Sequence, residues 1–428
     1  MAAAHDDITG QSSEAREGCA LAETDWVDRI RAELVGNILP FWLNYSVDRE
    51  NGGFYGLVDT TRTADKKSPR SCVLNARILW TFSAAVHGLG GAYRETADRA
   101  FAYLIDKFWD REHGGLFWMV DGRGDPLSTR KQIYGQAFGI YGLAEFHRAT
   151  GSATALERAK RLFQLIEEHG RDSFFGGYLE AFGRDWRPLE DMRLSEKDMN
   201  CPKSMNTHLH VMEAYTNLLR ASGDPVVRVR LADLVNVVID RIVDADSGHL
   251  RMFFDQRWKS LSGTISYGHD IEASWLLVEA AETLGDNALI ARCRELAVTL
   301  AATVYRGGLG PDGGVSYEGG ASCAAIDTTR HWWVQAEALV GFYSAYQISG
   351  DVRFLNASRR VWDYIETRVV DRKSGEWHAK LSLEGLPVTV QEDPDVNLIG
   401  PWKCPYHNSR ACLEMLERLR GRSAACAT

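Results

Sequence analysis

Histidines that begin helical stretches are the residues of this sequence best suited to chemistry. His407 follows a Trp-Lys-Cys-Pro-Tyr approach in GPWKCPYHNSRACLEMLERL, residues 400–419, and precedes a strongly helical pattern. His269 lies in SYGHDIEASWLL, three residues before Glu272. A carboxylate beside an imidazole raises its pKa above the free value of about 6.5 and fixes its tautomer. This pairing predicts a proton-transfer group that works near neutral pH.

A third histidine belongs to KSMNTHLHVMEAY, residues 203–215. On a helix, Asn206 and His210 are four residues apart and share a face, whereas His208 points elsewhere. A helical histidine is often a structural residue whose hydrogen bonds are satisfied, so two interpretations of His210 remain. Only its convergence with other polar residues would favour a place in a site.

Two adjacent tryptophans, Trp332 and Trp333, begin the helical stretch HWWVQAEA and are followed by Glu337. Core packing explains one buried tryptophan, but two in succession are costly to bury. Indole rings suit the apolar faces of sugars, while acids and amides bind sugar hydroxyls. This stretch therefore favours a carbohydrate ligand.

Arg77 lies within the apolar helical stretch LNARILW. A buried arginine usually pairs with an acid for structural reasons. In a pocket it would instead be a fixed cation able to stabilise an oxyanion. The sequence leaves both interpretations open.

A metal site is an alternative interpretation of His269 and Glu272, since a helical pair at this spacing can bind metal. It would need further ligands at matched positions, where the other units offer arginine, asparagine, tryptophan and glutamine. We therefore predict no metal. The sequence contains no Gly-x-Gly-x-x-Gly element after a strand, no Walker loop and no serine nucleophile elbow, so phosphate cradles and acyl transfer have no support.

A glycine followed by aromatic or β-branched residues recurs six times, at 53, 115, 177, 248, 314 and 375. Most copies carry an upstream acid of the kind that forms turns, and these are Asp48, Asp110, Asp172, Asp246 and Asp371. Between the copies, apolar residues at three- and four-residue spacing predict about two helices per unit. With an opening and a closing helix, the pattern predicts twelve helices in six units separated by short hairpins.

Helical hairpin repeats stack into an open solenoid or close into a ring. In every unit the unusual residues lie about 18 to 32 positions after the glycine, at the next helix start, and they include Arg77, Tyr134 with Gln136, Asn206 with His210, His269 with Glu272, Trp332 with Trp333 and Glu337, and His407. One recurring position implies one shared pocket. Because three histidines would converge on one site only in a ring, we predict an all-α (α/α)6 barrel.

The net charge and the cysteine content limit the possible partners and cellular location of the protein. The net charge of −9, with cations scattered among acids, argues against a nucleic-acid or anionic-membrane surface. Eight cysteines without a Cys-x-x-Cys pair favour reduced thiols and a cytoplasmic protein. We expect residues 1–20 to be a disordered tail and 21–420 to be a single domain, as a monomer or weak homodimer whose partner is a small neutral molecule.

The motifs LNARILWTFSAA, YGQAFGIYGLAE, KSMNTHLHVMEAYTNL, YGHDIEASWLL, HWWVQAEALVGF and WKCPYHNSRACLE resemble the N-acylglucosamine 2-epimerase superfamily, and within it the cellobiose 2-epimerase branch. The resemblance covers about residues 25–420. It implies an (α/α)6 fold and reversible epimerisation at carbon 2 of a reducing-end sugar. It also implies that neither a metal nor a nucleotide cofactor is needed.

Residue roles follow from the same resemblance. His269 and His407 would be the two acid/base groups that remove and return the carbon-2 proton through an enediolate, and Arg77 would steady the oxygen charge. The remaining residues would assist ring opening, hold hydroxyls or stack on the sugar, and they are Tyr134, Asn206, His210, Glu272, Trp332, Trp333, Glu337 and Trp402.

Three rival functions stay open at this stage. The same histidines would serve a mannose/glucose 2-epimerase or a mannose–fructose isomerase acting on monosaccharides. A glycoside hydrolase of this architecture would need two carboxylates flanking the bond that is cleaved. A non-catalytic binding protein is a third class, which the histidine-rich pocket disfavours. The acidic segment VQEDPDVNLI, 390–399, is a potential lid or rim, and it leaves substrate length undecided.

Overall fold

The computed structural model describes residues 25–320 and 325–426, with side chains up to residue 420. The predicted tail, 1–20, lies outside this range. Six helices form an inner set: α2 (Cys72–Leu89), α4 (Ile133–Thr150), α6 (Met205–Ser222), α8 (Tyr267–Leu284), α10 (Trp332–Ser349) and α12 (Tyr406–Cys426).

Six further helices form an outer set. They are α1 (25–45, including a π turn at Leu34–Ile38 and an α segment at Leu39–Tyr45), α3 (Arg94–Tyr103, then Leu104–Phe108), α5 (Ala153–Leu165, then Ile166–Gly170), α7 (Pro225–Val237, then Val238–Ile242), α9 (Asn287–Gly307) and α11 (Val352–Tyr364, then Ile365–Val369). The second range of α3, α5, α7 and α11 is a π turn.

The inner helices contact one another in chain order, and α12 contacts both α10 and α2. This last pair of contacts closes the ring. Each outer helix from α3 to α11 contacts the inner helix that precedes it. The prediction of an (α/α)6 barrel with twelve helices is therefore confirmed within the described residues. No helix in this part of the chain is long and apolar enough to cross a membrane.

The inner helices are sharply bounded by their sequence. Ser71, Ser204 and Ser266 are N-caps whose side chains accept hydrogen bonds from the first turn. At the other end, four inner helices stop at glycines with left-handed φ angles, and these are Gly151, Gly223, Gly285 and Gly350. These caps fix where each helix starts, and hence where its first-turn side chains lie.

Short strands precede the inner helices and pair with the glycine loops. The strands are Arg70–Ser71, Met119–Val120, Pro126–Ser128, Lys131–Gln132, Ala181–Phe182, Lys203–Ser204, Val243–Asp244, His249–Leu250, Phe253–Phe254, Ile265–Ser266, Glu318–Gly319, Ala325–Asp327, Arg330–His331 and Lys380–Leu381. All pairs are antiparallel. For example, Lys131 lies opposite Phe182 and Lys203 lies opposite Phe254. The predicted hairpins are thus present at one end of the ring.

The turn acids have the expected role with one exception. Asp110 accepts hydrogen bonds from the amides two and three residues later, and a buried lysine, Lys131, pairs with the same carboxylate. In the fourth loop the prediction of Asp246 was wrong. That residue is exposed, and Asp244 takes the role, since its carbonyl accepts from Gly248 and its carboxylate from Ser247. Asp244 precedes its glycine by four residues, as Asp110 precedes Gly114.

The fourth residue of several inner helices anchors the helix to its loop. Gln136 accepts from the backbone N–H of Leu116 and donates to its carbonyl, and Gln335 binds Val315 in the same way. In α6 the equivalent residue is His208, whose Nε2 accepts from the amide of Tyr178 at 2.9 Å. Gln136, which the sequence placed among the pocket residues, is therefore bonded to a loop. His208 points away from His210, as predicted.

Candidate active site

Two positions of the inner helices supply most of the predicted site residues. The second residue of α4, α6, α10 and α12 is Tyr134, Asn206, Trp333 and His407, respectively. The sixth residue of α2, α6, α8 and α10 is Arg77, His210, Glu272 and Glu337. Positions four apart share one helical face. The ring therefore stacks these residues in two layers at the end of the barrel where the inner helices begin.

His407 is bound to α10 through a carboxylate. Its Nδ1 lies 2.7 Å from Oε1 of Glu337 and 4.0 Å from Oε1 of Glu272. The imidazole also packs against the rings of Trp333 and Tyr406. Burial, together with the positive charges of Arg77 and Arg410, lowers the pKa of His407 well below its ordinary value. The imidazole is therefore neutral at pH 7.

His269 has a different partner from the one that the sequence indicated. Its Nδ1 lies 2.8 Å from Oγ of Ser266, the N-cap of α8, and not against Glu272. Burial lowers the pKa of His269 to about 3, so the expectation of a raised pKa was wrong. The ring of His269 packs on Trp333 at 4.8 Å between centroids, and the ring of His407 packs on the same indole at 5.5 Å. The two imidazoles thus contact the same tryptophan.

His210 forms a second imidazole–carboxylate pair. Its Nδ1 lies 2.9 Å from Oε2 of Glu213, one helical turn further along α6. Burial lowers the pKa of His210, and the carboxylate opposes this shift. Although burial disfavours its charge, Arg410 and His210 lower the pKa of Glu213 to about 2. The pair is therefore a neutral imidazole on an ionised carboxylate.

Arg77 is buried without a carboxylate partner among the described residues. Its Nη2 donates to the hydroxyl of Tyr134 at 2.9 Å, and its Nη1 contacts the sulfur of Cys404 at 3.6 Å. The guanidinium also lies over the rings of Phe138 and Tyr406. Of the two interpretations left open by the sequence, the structural ion pair is thus disfavoured. A buried cation held by neutral groups retains its charge for a ligand.

The tryptophans and Asn206 lie at different depths. Trp333 and Trp402 are partly exposed, whereas Trp332 is buried under the ammonium of Lys403, 5.3 Å from the ring centroid. Trp402 packs edge-on against Tyr134. Asn206 is also partly exposed, and within the described chain its Oδ1 has no hydrogen-bond partner. Trp333, Trp402, Asn206 and His269, which is likewise partly exposed, are therefore the groups most open to a ligand.

Arg410 and its partners form a cluster that the sequence analysis missed. The Arg410 cluster comprises this arginine, Glu213, Glu272, Glu337 and Tyr406. Nη2 of Arg410 donates to Glu272 at 2.6 Å and to Glu337 at 2.7 Å, and Nη1 donates to Glu213 and Tyr406. The only available signal was spacing, since Glu213 and Arg410 each follow a site histidine by three residues.

The Arg410 cluster also bears on metal binding. Glu272, Glu337 and His407 offer ligand atoms that lie within 4.8 Å of one another. The guanidinium of Arg410 already donates to both carboxylates, so a cation is in place where a metal would be held. Burial and the neighbouring Glu337 raise the pKa of Glu272 well above its ordinary value, which further disfavours an ionised ligand set. The donor set therefore fits a metal poorly.

The acidic segment 390–399 is attached to other loops. Lys197 pairs with Asp395 at 2.6 Å and Lys380 pairs with Asp393 at 3.0 Å. At its end, Ile399 forms a backbone bridge with Val58, in the first loop. The segment thus links three loops. It ends just before the Trp-Lys-Cys-Pro-Tyr stretch that precedes His407.

In the described part of the chain, the inner helices of an (α/α)6 barrel bring histidines, carboxylates and an arginine without a carboxylate partner close to tryptophans. This combination of polar and aromatic groups is typical of carbohydrate sites. The chain belongs to the N-acylglucosamine 2-epimerase (GlcNAc 2-epimerase) family, which it matches over residues 52–397. The resemblance seen in the sequence motifs is confirmed.

Individual relatives are similar over nearly the whole chain. A cellobiose 2-epimerase of Bacteroides fragilis is 47% identical, covering 90% of this chain and 97% of the relative. One from Ruminococcus albus is 40% identical over 92% of this chain and 98% of its own. The solved cellobiose 2-epimerase of Bacillus thermoamylovorans superposes with a TM-score of 0.87 at 41% identity, covering 92% and 100% of the two chains.

Proposed function

We propose that this protein is a cellobiose 2-epimerase, an isomerase that interconverts glucose and mannose at the reducing end of β-1,4 disaccharides. The observation that carries the proposal is the pair of neutral imidazoles, His269 and His407, that both pack on Trp333. The names of relatives at 40% to 47% identity support the same reaction.

Inverting a stereocentre requires that a proton leave one face and return to the other, or that the intermediate turn between the two steps. In the proposed mechanism, one imidazole takes the carbon-2 proton of the open-chain aldose, and the electron pair moves onto the carbonyl oxygen. Arg77 stabilises the resulting enediolate oxygen, because its charge is buried and unpaired. The other imidazole, after it has taken up a proton from solvent, delivers that proton to carbon 2 from the opposite face, and the first imidazole releases its proton to solvent.

Ring opening must come first, since carbon 2 is acidic only beside a free carbonyl. Glu272 suits this step, because its raised pKa keeps it protonated and its Oε2 has no partner within the described residues. We propose that Glu272 donates to the ring oxygen. We propose sugar-binding roles for Tyr134, Asn206, Trp333 and Trp402, and a supporting acid/base role for His210. Trp332 is buried beneath Lys403 and both oxygens of Glu337 are bonded within the protein, so we propose that these two residues support the site from behind.

Glycoside hydrolysis is disfavoured by the carboxylates themselves. Both oxygens of Glu337 are bonded within the protein, to His407, Arg410 and the indole N–H of Trp275. Glu272 shares the same guanidinium nitrogen. Two carboxylates on one arginine cannot flank a glycosidic bond as a hydrolase requires.

Product analysis by NMR after separate incubation with cellobiose, mannose and glucose tests the proposal. We expect a disaccharide with mannose at its reducing end from cellobiose, and slower or no conversion of the monosaccharides. Conversion of mannose to fructose in preference would favour an aldose–ketose isomerase, and free glucose from cellobiose would favour a hydrolase. In heavy water, carbon 2 of the product should carry deuterium. The enzyme should remain active in EDTA. If EDTA abolished the activity and added zinc or manganese restored it, the enzyme would not be independent of a cofactor.

The proposal extends to the setting of the enzyme. Five cysteines in the described chain are buried free thiols, which suits the cytoplasm. We also propose a monomer or weak homodimer, which sedimentation at micromolar concentration would test.

A further inference from the structure

Arg410 joins three inner helices through one side chain. It lies on α12, three residues after His407, and is buried. Its three carboxylate partners, Glu213, Glu272 and Glu337, come from α6, α8 and α10. Its contacts are with the groups that hold the histidines.

The planar shape of the Arg410 guanidinium allows it to contact all three carboxylates at once. The planar fork directs Nη1 to one carboxylate and Nη2 to the other two, while its faces pack on Tyr406 at 4.2 Å and Trp275 at 4.7 Å. A lysine ammonium would supply the charge from a single point. It could not hold Glu213 and Glu337 in place together.

Two of these carboxylates each bind a histidine. Glu337 shares Oε1 between Arg410 and Nδ1 of His407, and Glu213 gives Oε1 to Arg410 and Oε2 to Nδ1 of His210. We propose that Arg410 is a positioning residue that fixes the orientation and tautomer of both imidazoles through their carboxylates. This inference rests on the proposed epimerase function for its kinetic consequences.

The opposing view is that Arg410 only neutralises buried acids. Removing the guanidinium would leave three buried carboxyl groups without their shared donor and neighbouring cation, which is strongly destabilising whatever the role of Arg410. Deletion to alanine or methionine is thus uninformative. Arg410→Lys keeps the charge and most of the volume, and it removes the fork that makes simultaneous contacts.

We expect Arg410→Lys to lower kcat for cellobiose by about 100-fold and to change KM by less than about threefold, because a misdirected base affects proton transfer more than sugar binding. Arg418→Lys is the matched control. Arg418 lies on the same helix, also over Trp275, and pairs with Glu414 instead of the cluster. It should keep kcat within about twofold. A kcat of Arg410→Lys within threefold of wild type would overturn the proposal.

Tyr406→Phe provides a second variant if Arg410→Lys does not fold. Its hydroxyl donates to Glu213 and accepts from Arg410, so its loss loosens the same fork without changing charge. We expect a fall of about tenfold in kcat. An unchanged kcat in this folded variant would also contradict a positioning role.

A spectroscopic measurement separates this inference from the proposed function. In protein labelled with 15N-histidine, the wild type should show His407 and His210 as single tautomers protonated at Nδ1, with assignments from the His407→Asn and His210→Asn spectra. Arg410→Lys should convert these signals to averaged tautomers. We expect this change in the histidine signals whichever sugar is the substrate. Identical histidine spectra in the two proteins would sink the inference while leaving the proposed function intact.

Discussion

His407 and Glu337 form a buried imidazole–carboxylate pair that joins the last inner helix to the one before it, with Nδ1 and Oε1 2.7 Å apart. Oε1 already accepts from Arg410, so the imidazole must be the donor in this contact. A neutral imidazole that donates from Nδ1 keeps the lone pair of Nε2 free. His407 is thereby held as a base.

Glu337→Gln should disrupt this arrangement without changing volume. A glutamine can turn its amide N–H₂ towards Nδ1, which favours the opposite tautomer and blocks the lone pair of Nε2. We expect kcat to fall by about 10²- to 10³-fold, by analogy with other oriented imidazoles. Steady-state kinetics with cellobiose would measure it. Glu282→Gln, an exposed carboxylate paired with Arg294, is the control and should be neutral. Similar kcat values for the two variants would count against the tautomer argument.

His269→Ala and His407→Ala should each abolish epimerisation and leave the circular dichroism spectrum unchanged. Because one base remains in each variant, the epimer that presents its carbon-2 proton to that base should still exchange it with heavy water. We therefore expect each variant to exchange one epimer of the disaccharide and not the other, as read by NMR. Substantial turnover by either variant would exclude a scheme with two bases.

Arg77→Met should lower kcat/KM by about 10²- to 10³-fold, the range for removing one oxyanion donor. The fold should tolerate the change, because Arg77 has no carboxylate partner among the described residues that would be left unpaired. Arg111→Met, at an exposed arginine, is a control that should not affect kinetics. If melting temperature falls steeply while kcat of the folded fraction stays normal, Arg77 is structural.

The ring could be predicted from the sequence because its evidence is periodic. Glycine loops recur at a nearly constant interval, and apolar spacing gives the helices between them, so the region where each inner helix starts could be located. His407 and Arg77 could be placed at one end of the barrel in this way.

Contacts between distant helices could not be predicted in the same way. Tyr406 and Glu213 are 193 residues apart, and only packing around the ring brings them together. Local spacing also misled in one place. It paired His269 with Glu272, three residues later, whereas the N-cap Ser266, three residues earlier, has the closer side chain. Side-chain direction along a helix decides such cases, and a spacing rule alone does not contain it.

Gly268→Ala tests the packing of Trp333, which both imidazoles contact. Gly268 occupies the second position of α8, where three other inner helices carry the rings of Tyr134, Trp333 and His407. An added Cβ would lie 2.4 Å from a ring atom of Trp333, so the indole must move. Because Trp333 packs on both imidazoles, we expect kcat/KM to fall by about 10- to 100-fold, in line with small misplacements of reacting groups. Gly36→Ala has open space around the added Cβ and is the control.

His208→Gln should remove part of the acid sensitivity of the fold. Burial lowers the pKa of His208 to about 4, against about 6.5 in an unfolded chain. The unfolded state therefore binds more protons between these values, and the contribution of His208 to stability is complete above pH 6.5 and is lost as the pH falls towards 4. At pH 5 this loss amounts to about 2 kcal/mol, from about 1.4 kcal/mol per pKa unit.

Glutamine is a suitable replacement because Gln136 and Gln335 make the equivalent loop contact in other repeats. The glutamine side chain introduced by His208→Gln should accept from the amide of Tyr178 at any pH. We expect the free energy of unfolding, measured by urea denaturation, to match wild type within about 1 kcal/mol at pH 7 and to exceed it at pH 5, since the amide does not titrate. If both proteins lose the same free energy between pH 7 and pH 5, His208 is not a source of this sensitivity.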